Sequence, residues 1–172
     1  GANGLIAAIA DAHSLEAAGD KILRPLADGR LGSRETPYKG PIALDGNLTT
    51  QLLREIAVSP LFARADLRIA PASPGKAERL LPLLDHPRAT LYVNLEEAGL
   101  LAHTTFDSSA QAAQALVAKG AHRVLVTNGG EDASMARHDM VLTQTPPPVL
   151  VARVTGCLLY TSPSPTRRTP IS

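Results

Sequence analysis

The sequence predicts an α/β fold built on a mostly parallel sheet, and three observations carry that expectation. Short apolar runs ending in Gly, Asp or Asn alternate with longer runs of helical period, the pattern of strand–helix–strand units. Hydrophobic residues make up 44% and charged residues 19%, enough for a packed core. The 172 residues suit one domain that buries about two-thirds of its unfolded surface. Aromatics are only 3% and Trp is absent, so the core must be assembled from Ala, Leu, Val and Ile.

The elements follow in order. "GLIAAIAD" (4–11), "PIALD" (41–45), "DLRIAPA" (66–72), "ATLYVN" (89–94) and "HRVLVT" (122–127) are short, apolar and bounded by turn formers, as buried parallel strands are. Residues 14–29 read as a helix with Ser14 as N-cap and Gly29 near its stop, kinked or ended early by Pro25. Residues 49–59 place Leu52, Leu53, Ile56 and Ala57 on one helical face, and 75–85 does the same with Leu80, Leu81 and Leu84. The clearest helix spans 107–120, capped by Asp107 or Ser108, striped with Ala112, Leu116 and Val117, and closed by Gly120. After Gly129 and Gly130 the pattern turns antiparallel, with a hairpin in "SMARHDMVLTQT" and a further strand at 148–154. No internal repeat is visible. Residues 157–172 carry three Pro, three Ser and three Thr with no acidic residue and no period, and read as an unstructured tail.

Composition also narrows function. Seventeen Lys and Arg against sixteen Asp and Glu give a net charge of +1, which lacks the concentrated basic footprint of a nucleic-acid binder; Arg167 and Arg168 alone are too few. The single Cys157 cannot form an internal disulfide, and no signal pattern or membrane-length apolar run is present, so a cytoplasmic setting is expected. The opening "GANGLIAAIAD", strand-like and without Met, suggests that a segment precedes it.

Ligands of α/β sheets gather at the carboxyl ends of the strands, and polar residues stand at four of those ends. In "VNLEEAGLL", Asn94 closes a strand and Glu97 lies in the next helical turn. An amide and a carboxylate together there suit a hydrated Mg²⁺ carrying nucleotide phosphates, because that ion keeps its waters and takes few protein ligands. The same spacing is also that of a capping box. In "VLVTNGGED", Thr127 offers a hydroxyl and Gly129 a close backbone approach, although a hairpin corner explains the same letters. In "ALDGNLT", Asp45 and Asn47 fit an ordinary strand-to-helix turn before a helix capped by Thr49. In "VARVTG", Thr155 and Gly156 would present backbone N–H groups to an anion if a helix followed. The five His residues (13, 86, 103, 122, 138) show no metal-ligand spacing.

In this order the stretches resemble the PfkB or ribokinase-like family of carbohydrate and nucleoside kinases, with the pseudouridine kinase branch nearest. "NGLIAAIAD" resembles the family's lid strand, "LDGNLT" its Asp-Ala/Gly-Asn-Leu segment, and "APASPGKAERLLPLL" its Asp-Pro-Val-Ser-x-x-Lys-Ala helix entry. "VNLEEAGLL" is similar to its Asn-x-x-Glu motif and "VLVTNGGEDA" to its Val-Thr-x-Gly-x-x-Gly nucleotide loop, with Asp132 near the last Gly of that pattern. The resemblance implies a ribokinase-like three-layer α/β/α sandwich, incomplete at both ends. Residues 1–156 would be a partial kinase domain, with a lid-strand portion at 1–11, and 157–172 a disordered, artefactual tail.

The function implied is transfer of the ATP γ-phosphoryl group to a sugar or nucleoside hydroxyl, the 5′-hydroxyl of pseudouridine in this branch, with ATP and Mg²⁺ as cofactors. Such chemistry depends on positioning and charge neutralisation. The resemblance assigns Asn94 and Glu97 to Mg²⁺, and Asn94, Thr127, Gly129, Thr155 and Gly156 to the nucleotide. In the family's Asp-Thr-x-Gly-Ala-Gly-Asp motif the last Asp takes the hydroxyl proton; here Arg153, Cys157 and Leu158 depart from the pattern and Leu159 holds the base position. Leucine accepts no proton, and loss of a general base removes about 10²–10⁴ in rate, so this chain is expected to be inactive. One alternative is a non-catalytic nucleotide- or metabolite-binding α/β module. Another is an interaction fragment whose lid strand pairs between subunits into a homodimer.

Overall fold

The computed structural model describes residues 13–148. The strands expected at 4–11 and 148–154 and the tail at 157–172 fall wholly or almost wholly outside them. Among the described residues six strands form one sheet in the order β1-β2-β3-β4-β5-β6: β1 Pro41–Asp45, β2 Asp66–Ala70, β3 Ala89–Asn94, β4 Arg123–Thr127, β5 Ala133–Arg137 and β6 Met140–Gln144. β1 to β4 are parallel and the β5–β6 hairpin is antiparallel. β1 and β3 have the expected bounds. β2 stops at Ala70, because Pro71 has no N–H to donate and Ala72 turns the chain away at φ 69°.

The helices are α1 His13–Ala18, α2 Arg24–Ala27, α3 Thr50–Val58, α4 Leu95–Ala102 and α5 Ser109–Ala118, with 3₁₀ segments at Gly19–Leu23 and Pro74–Leu83. The single helix expected over 14–29 is therefore three short pieces. Pro25 sits in the first turn of α2, where its missing N–H has no intrahelical partner to lose. α3 starts as the sequence requires: the Leu52 N–H donates to Thr49 Oγ1 at 3.2 Å, and Leu52, Leu53 and Ile56 are buried. α5 is capped by Ser108, not Asp107, through the Gln111 N–H at 3.2 Å.

The segment expected as an α-helix at 75–85 is a correction. It winds as a ten-residue 3₁₀ helix, and its buried residues Ala77, Leu80 and Leu83 recur every third position. Leu81, expected in the core, is 37% exposed. Pro82 inside the segment lacks the N–H that an α-helical ladder needs, and three residues per turn align i, i+3 and i+6 on one side.

α3 packs on the 3₁₀ helix, that helix on α4, and α4 on α5, so the connecting helices form one layer. Sheet order explains this. Each strand is added beside the last in one direction, and the right-handed rule for crossovers between parallel strands then returns the three β1-to-β4 connections over the same face. Beneath that layer Leu67, Ile69, Leu91, Val93, Val124, Val126 and Ala136 are buried, with Phe62, Leu53 and Ile56 among the fully enclosed side chains. On the alternate positions Tyr92, Leu125, Met135 and Leu142 form one cross-strand row, and exposure rises along it to 65% at Leu142. Burial on both faces, expected for every parallel strand, does not extend to Ala43 and Arg68, which are exposed. Among the described residues no helix is long and apolar enough to cross a membrane.

Candidate functional site

Parallel strands all end on the same edge of the sheet, so the side chains closing β1 to β4 converge there without further design. Asp45 and Ala70 are register partners at the ends of β1 and β2, and Asn94 and Thr127 at the ends of β3 and β4. The structure thus brings two of the expected site residues onto neighbouring strand ends.

Asn94 and Glu97 form a complete capping box. The Glu97 N–H donates to Asn94 Oδ1 at 2.8 Å, and the Asn94 N–H donates to Glu97 Oε2 at 2.9 Å. Of the two roles the sequence left open, the capping role is the one the hydrogen bonds display. Glu97 is nonetheless an unusual cap, being only 5% exposed. Burial pushes its carboxyl above the usual carboxylate range; the Asn94 N–H pulls it back and the neighbouring Glu96 charge adds to the rise. The second atom of each head group, Asn94 Nδ2 and Glu97 Oε1, makes no hydrogen bond to the described residues. No buried side-chain nitrogen or oxygen there lacks a partner, so both atoms reach solvent.

Thr127 leads into a five-residue connection. The Glu131 N–H donates to the Asn128 carbonyl at 2.9 Å, and Gly129 turns the first corner at φ 57°, a conformation that side chains with a Cβ adopt at a cost. Gly129 and Gly130 are exposed, and a Cβ on either would meet nothing within 4 Å. The backbone there is open to a ligand. Beside it a groove of about 810 Å³ runs along the outer side of α4, lined by Leu95, Glu96, Gly99, His103, Phe106 and Asn128 among others. Asn128, which the sequence did not single out, joins that groove to the end of β4. Asn94, Glu97 and Thr127 border it in sequence but do not line it.

Asp45 and Asn47 behave as the turn the sequence suggested. The Asn47 N–H donates to Asp45 Oδ1 at 3.0 Å and Asn47 Nδ2 to Asp45 Oδ2 at 2.8 Å. Sequence reading missed what locks the turn: Lys76 Nζ donates to Asn47 Oδ1 and Arg79 Nη1 to the Gly46 carbonyl at 3.2 Å. Gly46 is required by close approach, since a Cβ there would stand 2.2 Å from the Pro71 carbonyl. Thr155, Gly156 and Leu159 lie outside the described residues.

These donors limit how a metal could be held. Among the described residues no group of three or more His, Cys, Asp or Glu could hold an ion. One carboxylate oxygen and one amide reaching solvent suit a hydrated Mg²⁺ that arrives on phosphates and is contacted through its waters.

No family model matches the sequence, and no curated protein matches it at a significant level. Solved structures do. A carbohydrate kinase from Agrobacterium tumefaciens is 21% identical with a TM-score of 0.63, over 84% of this chain and 44% of that one. Phosphofructokinase-2 from Escherichia coli, solved in complex with potassium, is 19% identical with a TM-score of 0.54, over 67% and 39% of the two chains. Adenosine kinase from Sinorhizobium meliloti is 16% identical with a TM-score of 0.51, over 64% and 36%. The likeness shows the ribokinase-like α/β fold, of which the described residues supply a part: six strands of sheet and one helical layer. The chain spans less than half the length of these three structures.

Proposed function

We propose that this chain is part of an ATP-dependent kinase acting on a sugar or nucleoside hydroxyl, with the 5′-hydroxyl of pseudouridine as the acceptor its sequence resemblance favours. The observation that carries the reading is the register pairing of Asn94 with Thr127 at adjacent strand ends, above an exposed Gly129–Gly130 backbone. A nucleotide laid along that edge would meet a hydroxyl, open amides and a carboxylate within one stretch of sheet. The neighbouring solved folds, named as carbohydrate and adenosine kinases, support this class of chemistry.

In this reading Asn94 and Glu97 hold a hydrated Mg²⁺ through its waters, and that ion neutralises charge on the triphosphate when bound. Thr127 donates to a phosphate or ribose oxygen, and the Gly129–Gly130 backbone contacts the nucleotide. Thr155 and Gly156 would extend the anion contacts. With Leu159 at the position of the family's base, no side chain there takes the acceptor proton, so residues 1–156 bind without catalysing. In the same reading the 157–172 segment plays no part, the longer protein works in the cytoplasm, and pairing of its 1–11 lid strand between two copies would make a homodimer.

The test is a nuclear magnetic resonance titration of the chain with Mg-ATP, alongside a turnover assay with pseudouridine. Expected are perturbations at Asn94–Glu97 and Thr127–Gly130, affinity near millimolar, about −4 kcal/mol, and no turnover. Perturbations confined to other surfaces remove the site assignment, and turnover at ordinary kinase rates removes the claim of inactivity.

A further inference from the structure

Three hydroxyls outside the candidate site form a continuous chain that runs from the exposed Thr143 through the buried Ser134 and Ser109 to the exposed Asp132. Ser109 Oγ donates to the Asp132 carbonyl at 2.7 Å, lies 2.8 Å from Ser134 Oγ, and Ser134 Oγ lies 2.9 Å from Thr143 Oγ1. Ser109 and Ser134 are 2% and 0% exposed. The chain starts on β6, crosses β5, enters the first turn of α5 and ends on the last residue of the connection that follows Thr127.

Proton counting fixes its direction. A carbonyl oxygen only accepts, so the single Ser109 proton is committed to Asp132. Ser109 must then accept from Ser134, and Ser134, its own proton spent, must accept from Thr143. The order is Thr143 to Ser134 to Ser109 to the Asp132 carbonyl, with every donor used once. Each bond polarises the next, and Ser109 alone touches the loop.

We infer that Ser109 is a positioning residue for the Asn128–Asp132 loop, holding the Gly129–Gly130 backbone in the shape that meets the nucleotide. The nucleotide part of this claim rests on the function proposed above; the positioning part does not. The loop is anchored at its start by the end of β4 and closed on itself by the Glu131 to Asn128 bond. At its far end the Ser109 hydroxyl ties it to α5, whose packing against β4, β5 and β6 makes that helix a rigid support.

The direction of donation separates two variants that a purely structural role would treat alike. Ser109→Ala removes the bond to the loop. Ser134→Ala removes the donor to Ser109 yet leaves the Ser109 proton on Asp132. Amide exchange is read at Glu131, with Val124 and Val126 as the reference for global opening. Ser109→Ala is expected to speed Glu131 exchange about fivefold to tenfold relative to the reference, the loss expected for one hydrogen bond. Ser134→Ala is expected to leave that ratio within about twofold. Mg-ATP affinity should fall about fivefold to tenfold in the first variant and stay unchanged in the second. An unchanged Glu131 ratio in Ser109→Ala, or an equal rise in both variants, overturns the positioning role. If exchange behaves as expected while the unmodified chain shows no Mg-ATP binding, the nucleotide reading fails alone. Should Ser109→Ala not fold, Ser109→Cys, a near-isosteric weak donor, must shift Glu131 in the same direction.

Discussion

Glu97 separates a helix cap from a phosphate-site carboxylate, because two substitutions remove different parts of it. Glu97→Gln keeps an oxygen to accept the Asn94 N–H, now at 2.9 Å, while abolishing the charge. Glu97→Ala removes the acceptor and the buried stem together. Loss of a cap bond costs about 0.5–2 kcal/mol, and leaving the Asn94 N–H unpaired raises the cost of Glu97→Ala to about 1–3 kcal/mol. Glu97→Gln should lie within about 0.5 kcal/mol of the unmodified chain at neutral pH, or above it, since burial disfavours the ionised form. The pH dependence has a definite sign. A carboxyl whose folded value is raised contributes stability that is fully present below its unfolded value, about 4.3, and lost as pH climbs from there toward the folded value. Glu97→Gln should flatten that decline. Urea melts from pH 4 to 7.5 measure it, and titration with Mg-ATP measures the second role: loss of a charge-assisted contact weakens binding about tenfold to a hundredfold. Glu97→Gln with unaltered Mg-ATP affinity would reduce Glu97 to a cap. Destabilisation equal to that of Glu97→Ala would refute the division itself.

Other outcomes test the fold around the site. Gly46→Ala drives a Cβ to 2.2 Å from the Pro71 carbonyl, and should cost about 1–3 kcal/mol in a denaturant melt. Leu80→Ala, at 1% exposure, should cost about 2–5 kcal/mol, whereas Leu81→Ala, at 37%, should cost less than half as much; equal costs would restore an α-helical register over 74–83. His86 is buried, accepts the Arg88 N–H on Nδ1 at 3.3 Å, and burial holds its pKa below the usual value. Its stability contribution is therefore present above the unfolded value, about 6.5, and lost as pH falls through that value toward the folded one. His86→Asn, which retains an acceptor, should reduce the drop in melting temperature between pH 7 and 5; an identical drop would assign it to other groups.

The fold was legible in the sequence because its signals are local. Apolar runs bounded by turn formers located β1 to β4, Thr49 and Ser108 started their helices, and "SMARHDMVLTQT" contained the hairpin. The misread segments are those where a local rule had a competitor. Pro82 and a three-residue spacing overrode the helical stripe at 74–83, and Pro25 was absorbed at the start of a new helix.

For the site, the sequence by itself determined which residue types stand at the strand ends, since a parallel α/β pattern sends every strand to the same edge. It also determined that Asn94 and Glu97 are three apart, which serves a cap and a cation equally. Only the tertiary structure decided that Asn94 lies in register with Thr127, that Lys76 reaches Asn47 across 29 residues, and that Ser109 meets Ser134 across 25. The physical reason is range. Periodicity and capping act within about one turn of chain, whereas register and hydroxyl contacts depend on how whole elements stack, which no short stretch of residues encodes.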